Sequence, residues 1–381
     1  MLCREFAERL AERGHRTTVL TSCALNYDTW EDHFEPGHTS INGVEVTRLP
    51  IVDPRSITRF SELSTRIANS PSVNAMTERS WRFEQGPALR GFEAELARLA
   101  AEADVVAFFT YLYPPTSQGL AAIAGRVPTV LHPTLHDEWP ARLAGVRTVV
   151  DRCAVIACST PEEVSYLERR FRPRQHTAVV GIGFENPTPT DDTANEFRTR
   201  FDLGNDPYAL CLGRVDPNKG IPELLSYYQE YRRCHSNPAR LVLCGAQMMP
   251  IEDQDGLVIT GFVDDGMKDA AIQGAAVLIQ PSRQESFGMT LAEALQAEVP
   301  VLVNRHCEVT EGLAGRSEGG LNFWSASSFS ASLDLLVHAP EVRGALGRNG
   351  KKFVEADLTW DQVLSRYEDL IERAISQQSE E

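Results

Sequence analysis

The sequence has no long apolar run, no paired cysteines and no excess of positive charge, and each lack removes a class of protein. No stretch approaches the roughly 18 consecutive apolar residues of a membrane span, so no transmembrane segment is expected. No signal-peptide pattern precedes the first helix. The eight cysteines (Cys3, Cys23, Cys153, Cys158, Cys211, Cys234, Cys244, Cys307) are scattered and form no CxxC pair. Neither zinc nor a disulfide framework is expected, and the setting reads as reducing and cytoplasmic. Lys and Arg number 37 against 53 Asp and Glu, a net charge of −16. A general nucleic-acid binder needs a basic surface, so nucleic acid is not an expected partner. A local basic pocket for a diphosphate is compatible with that balance. There is neither a Walker loop nor GxGxxG, so ATP hydrolysis and hydride transfer lack their signatures.

What is present is enough chain for two domains. Its 381 residues are 42% apolar and 24% charged, the balance of a globular protein. Residues 2–13 read as a helix stopped by Gly14, and 16–22 as a strand. Residues 41–50, INGVEVTRLP, alternate like one strand, and 55–86 hold one or two helices. Helices follow at 90–102, 116–124, 141–153 and 160–171, alternating with strands at 103–109 (read as buried), 127–132 and 155–158. Residues 179–183 end this half, and 185–193, rich in Pro, Thr and Asp, read as a linker. The second half repeats the grammar, with strands at 208–212, 240–244, 257–260, 276–280 and 299–304. Its helices are read at 222–233, 266–274, 289–297, 333–337, 342–353 and 360–375. Such alternation implies parallel sheets covered on both faces.

The stretch at 280–300, QPSRQESFGMTLAEALQAEVP, organises the rest. An apolar run leads into it as a buried strand, and Phe287-Gly288 turns the chain into a helix beginning near Met289. Glu285 and Glu293 are eight apart, about 12 Å if helical. That span suits a ligand with hydroxyl-bearing groups at both ends and an anion between them. The N–H groups of Phe287, Gly288 and Met289 would face the anion, and Gly288 would let it approach the backbone. On spacing alone, the two carboxylates also read as a solvated helix face.

A second constellation, GRVDPNKG at 213–220, follows a buried strand. Gly213 frees the turn, and Arg214 and Lys219 reach one point beyond the strand end. Together they could offset a departing diphosphate without a metal, Arg as a fork and Lys as a point charge; the loop also reads as a surface turn with two solvated cations. A third, LHPTLHDE at 131–138, ends a first-half strand; His132 is its foremost candidate, with His136, Asp137 and Glu138 as possible binders of hydroxyls. The aspartates in DQD at 253–255 read as a solvated turn. Phe262 and Val263 follow a strand, and Phe262 reads equally as core.

These motifs resemble the glutamate–seven residues–glutamate and GR…K motifs of retaining GT-B glycosyltransferases of family four. The resemblance is most specific over 208–304. It implies two Rossmann-like, doubly wound domains facing across a cleft. Residues 1–184 would form the acceptor side and 185–357 the nucleotide-sugar side, with a helix at 358–381 packing back. It implies a metal-independent, retaining transfer from a nucleoside-diphosphate sugar, with no further cofactor, in glycan, glycolipid or glycoconjugate biosynthesis. The acceptor would be a saccharide, a lipid-linked group or a small molecule; peripheral membrane contact is compatible with the last two. Arg214 and Lys219 would hold the diphosphate, Glu285 the sugar, Glu293 the ribose, and Phe262-Val263 the base, with His132 facing the sugar. Trp360 resembles the family's entry to the last helix and reads as a packing anchor. The family's first strand and glycine-rich loop, ahead of Arg13-Gly14-His15, are absent from the sequence. A nucleotide-sugar epimerase of the same fold, or a non-catalytic binder of nucleotide sugar or of a partner, are the alternative expectations.

Overall fold

The structure, a computed structural model, describes residues 2–185 and 191–380. The chain forms two compact units, one built from the residues up to Ile182 together with those from Val363 onward, the other from Gly183–Gln362.

The first unit opens with α1 (Leu2–Glu12), β1 (Thr18–Ser22), β2 (Gly37–Ile41) and β3 (Val44–Leu49). Helices α2 (Ile57–Ala68), α3 (Ala75–Gln85) and α4 (Phe92–Ala100) follow. Then come β4 (Val106–Phe109), α5 (Pro114–Ile123), β5 (Thr129–His132), α6 (Ala144–Arg152), β6 (Val155–Cys158), α7 (Pro161–Arg170) and β7 (His176–Val179). The strands β4-β5-β6-β7 form one parallel sheet, and β1-β3-β2 a separate one. Here the single strand read at 41–50 is corrected. Asn42 and Gly43, at φ 49° and 79°, make a tight turn, and β2 pairs antiparallel with β3 across it. Two positive φ values are what a two-residue hairpin needs, and Asn-Gly accepts them most readily. β4 is also not the buried strand expected. Only Phe108 of its four residues is buried, because β4 pairs with β5 alone among the described residues. The segment 55–86 resolves into two helices, capped by the side chains of Ser56 and Asn74.

Of the linker read at 185–193, residues 186–190 lie outside the described residues. From Asp191 the chain is helical, so the linker reading ends too late: α8 spans Asp191–Arg200. The second unit continues with β8 (Tyr208–Leu212), α9 (Ile221–Cys234), β9 (Arg240–Cys244), β10 (Leu257–Gly261) and α10 (Asp265–Gln273). After these come β11 (Val277–Gln280), α11 (Met289–Gln296), β12 (Val301–Asn304), α12 (Glu308–Arg316), β13 (Gly320–Phe323), α13 (Ala326–His338) and α14 (Pro340–Asp357). The last helix, α15 (Trp360–Glu380), starts in this unit and belongs to the first from Val363 onward. All six strands run parallel in the order β10-β9-β8-β11-β12-β13. The chain starts mid-sheet at β8, winds out to β10, then returns to β11 and winds the other way. β8, β11 and β12 are buried at every residue, which is why they read as unbroken apolar runs.

Candidate functional site

In a doubly wound sheet the winding reverses at one place. The loops leaving the two strands there part to opposite faces and leave a crevice beyond the strand ends. In the second unit that place lies between β8 and β11, and both leading sequence motifs are the loops that leave these strands. Gly213 follows β8 at φ 131°, and its N–H donates to the Cys244 carbonyl at 2.9 Å. Asp216 accepts from the Asn218 N–H at 2.7 Å and so forms the short turn that carries Lys219. Gly220 ends that turn at φ 78°, and a Cβ there would stand 2.6 Å from the Pro281 carbonyl oxygen. The two loops therefore meet backbone to backbone, where no larger residue fits. From the other side, Asn304 Nδ2 donates to the same Pro281 oxygen at 3.1 Å.

This approach joins the two motifs. Lys219 Nζ donates to Glu285 Oε1 at 2.7 Å, and Gln280 Nε2 donates to the same oxygen at 3.0 Å. Arg214 stands exposed on the β8 loop. Residues 281–288 are loop, and α11 begins only at Met289, so the separation of Glu285 from Glu293 is not the helical rise the spacing suggested. Gly288 caps α11 in the left-handed region at φ 87°, and a Cβ there would lie 2.7 Å from Leu291 Cδ1. The demand for glycine is thus met by local geometry and packing. Phe287 is buried with its ring stacked on Phe184 at 5.8 Å, so its backbone is its polar contribution.

Glu293 lies on the first turns of α11 and accepts from Lys268 Nζ at 3.0 Å. Burial pushes the Glu293 carboxyl above its ordinary range, and Lys268 pulls against that shift. Lys268 was not singled out in the sequence, because its partner stands 25 positions away on another helix. Asp264 caps α10 by accepting from the Met267 N–H at 2.9 Å and fixes the turn that carries Lys268. Phe262 is 84% exposed at the end of β10, which rules out the core reading, and Val263 beside it is half-buried. Asp255 of the DQD loop is ion-paired with Arg232. Among the described residues no group of three or more His, Cys, Asp or Glu could hold a metal. The eight cysteines are free.

His132, at the end of β5 in the first unit, is only 1% exposed. Its ring stacks on Phe109 at 4.3 Å, with Phe6 at 5.0 Å and Tyr367 at 4.9 Å. Burial drops its pKa to about 3, and its Nε2 has no hydrogen-bond partner. The loop after it is held from beneath. Buried Glu163 accepts from the N–H groups of Leu135 at 2.6 Å and Ser159 at 2.7 Å. Within the loop, Glu138 accepts from the Tyr111 hydroxyl at 2.7 Å and Asp137 pairs with Arg142 at 3.3 Å. His136 Nδ1 is buried without a partner.

A doubly wound parallel sheet with a cation–carboxylate pair at its switch point, in a chain that also carries a second α/β unit, defines a class, and comparison with known proteins names it. The model of "Glycosyl transferases group 1" matches residues 193–353, and that of the "Glycosyl transferase 4-like domain" matches 2–183. The chain belongs to this glycosyltransferase family and has the GT-B fold. It is 26% identical to the D-inositol 3-phosphate glycosyltransferase of Frankia alni, over 55% of this chain and 58% of that one. The chain spans about half the length of the curated relatives it matches. In structure it resembles the sucrose-phosphate synthase of Thermosynechococcus elongatus, with a TM-score of 0.71 at 15% identity, covering 98% of this chain and 92% of that one. It also resembles Anabaena HepE in complex with UDP and glucose, with a TM-score of 0.59 at 14% identity over 87% and 86%.

Proposed function

We propose that this protein moves a sugar from a nucleoside-diphosphate sugar to an acceptor hydroxyl, with retention at the anomeric carbon and without a divalent metal. The observation that carries the reading is the contact of Lys219 with Glu285 at 2.7 Å across the switch point of the second unit. Arg214 and Lys219 stand where a diphosphate beyond β8 would leave, and two cations stabilise the charge that grows on it. Glu285 and the first-turn N–H groups of α11 hold the sugar, and Glu293 accepts from the ribose. Phe262 and Val263 offer an exposed edge for the base. The bond from the anomeric carbon to the diphosphate oxygen breaks as the bond to the acceptor oxygen forms on the same face. The acceptor proton passes to the leaving diphosphate. HepE, of similar fold, is seen in complex with UDP and glucose, which supports a uridine nucleotide as the first donor to try.

The test is product analysis of UDP- and GDP-sugars with a panel of acceptor sugars and lipids, in excess chelator. Transfer with retained anomeric configuration supports the proposal. Inverted product, or activity only with added metal, contradicts its finer terms. The enclosure of His132, 1% exposed within three aromatic rings, favours a second reading: binding of nucleotide sugar without transfer. Tight nucleotide binding with neither transfer nor hydrolysis of any donor would select it.

A further inference from the structure

Lys268 is the one cation of α10, and it stands among three carboxylates. Glu293 Oε1 is at 3.0 Å, Asp269 Oδ1 at 3.7 Å and Asp265 Oδ1 at 3.8 Å. Only the first is a hydrogen bond. Asp265 is 99% exposed at its side chain, whereas Glu293 is 25% exposed, so the ammonium turns inward to the less exposed partner. The strands packed on α11, β11 and β12, carry no titratable side chain. From α14, Lys351 is taken by Glu298 at 2.9 Å. The charges that face Glu293 are therefore Lys268, Asp265 and Asp269, and of these only Lys268 favours its ionised form.

We infer that Lys268 is a positioning residue for the ribose: it fixes Glu293 as a double acceptor for the two ribose hydroxyls of the donor nucleotide. The inference rests on the reading of Glu293 as the ribose ligand. An ionised carboxylate only accepts and can take both hydroxyls at once, whereas a protonated one gives up part of that capacity. Burial alone drives Glu293 toward the protonated form, and Lys268 opposes this. Removing the ammonium removes the opposition, so Glu293 holds its proton to higher pH. Ribose binding is then lost as pH falls and restored as pH rises. Selectivity for ribose over 2′-deoxyribose follows from the same pair.

The experiment is calorimetric titration of UDP, GDP and their 2′-deoxy forms from pH 5.5 to 8.5. The proteins are the wild type, Lys268→Met, Lys268→Arg and Glu293→Gln, each first shown to melt cooperatively. The wild type prefers the ribonucleotide roughly tenfold, as loss of a hydrogen bond to a charged group implies. Lys268→Met loses about tenfold in ribonucleotide affinity at pH 5.5 and recovers at pH 8.5. Lys268→Arg restores the flat profile. Equal losses at every pH, for ribo and deoxy forms alike, overturn the inference. So does an unchanged Lys268→Met profile when Glu293→Gln abolishes the ribose preference, and in that case the ribose role of Glu293 survives. A Glu293→Gln variant that keeps the full preference instead overturns the ribose reading itself.

Discussion

Lys219 and Glu285 neutralise each other at 2.7 Å, so a diphosphate arriving at the β8 loop competes with a carboxylate for its cation. Two opposite effects follow from one substitution. Glu285→Gln frees Lys219 and should tighten binding of free UDP or GDP a few-fold, as for the loss of a partly exposed ion pair. It removes the acceptor proposed for the sugar and should lower turnover by roughly 10²–10³. Calorimetry and initial rates separate the two, and parallel losses in both would contradict this role. His132 carries a different expectation. With its pKa near 3, it should remain neutral at pH 5 while solvent-facing histidines become charged. Imidazole NMR would detect this, and a charged His132 at pH 5 would show the cage to be open. At this scale the sequence singled out the Lys219 and Glu285 loops, where Gly, Pro and charged residues cluster between apolar runs, and the structure brings the two side chains into contact. Lys268 was illegible, since a lysine on a helix face declares no partner until the sheet brings α10 and α11 together. The enclosure of His132 was also illegible, because Phe6 and Tyr367 come from near opposite ends of the chain.

The elements carry their own tests. At Gly288 a methyl group meets both a left-handed backbone and Leu291 Cδ1 at 2.7 Å. Gly288→Ala should destabilise the protein by about 2 kcal/mol and misplace the start of α11. Denaturant unfolding with nucleotide titration checks it, and an unchanged midpoint with unchanged binding would contradict it. The α7 helix ties the loop after β5 through Glu163. Burial pushes the Glu163 pKa up to about 7, against two N–H donors that favour the charge. An unfolded glutamate titrates near 4.3. The raised folded value means that this group's stabilising contribution is full below about pH 4.3 and is lost as pH rises through about 7. The wild type should therefore lose up to about 3 kcal/mol between pH 4 and 8 that Glu163→Gln does not lose. Parallel pH curves for the two would contradict the assignment. Periodicity placed most strands and helices of both units, since buried parallel strands read as continuous apolar runs. It missed the β2–β3 hairpin, where Asn42-Gly43 breaks an otherwise regular alternation. It also missed α12, whose Gly312 and Gly315 lower helix propensity in so short a segment.

For the whole molecule, net charge and site charge point in opposite directions. The chain carries −16, yet the loop leaving β8 at the switch point of its second unit carries Arg214 and Lys219. An acidic protein that binds a dianion must do so locally, and binding should weaken only modestly with salt because few cations take part. No described helix is long and apolar enough to cross a membrane. The doubly wound sheet of the second unit was legible from the alternation of elements, whereas in the first unit the parallel strands run in the sequential order β4-β5-β6-β7, with β1-β3-β2 apart. The linker read at 185–193 from its Pro, Thr and Asp content hid the start of the helix at Asp191–Arg200. The proposed diphosphate site at the switch point is tested most directly by calorimetric binding of UDP and GDP in the presence of a chelator, to the wild type and to Lys219→Ala. One of the two nucleotides should bind, and Lys219→Ala should lose roughly tenfold or more of that affinity. A cooperatively folded protein that binds neither nucleotide, or one whose binding ignores Lys219, would contradict it.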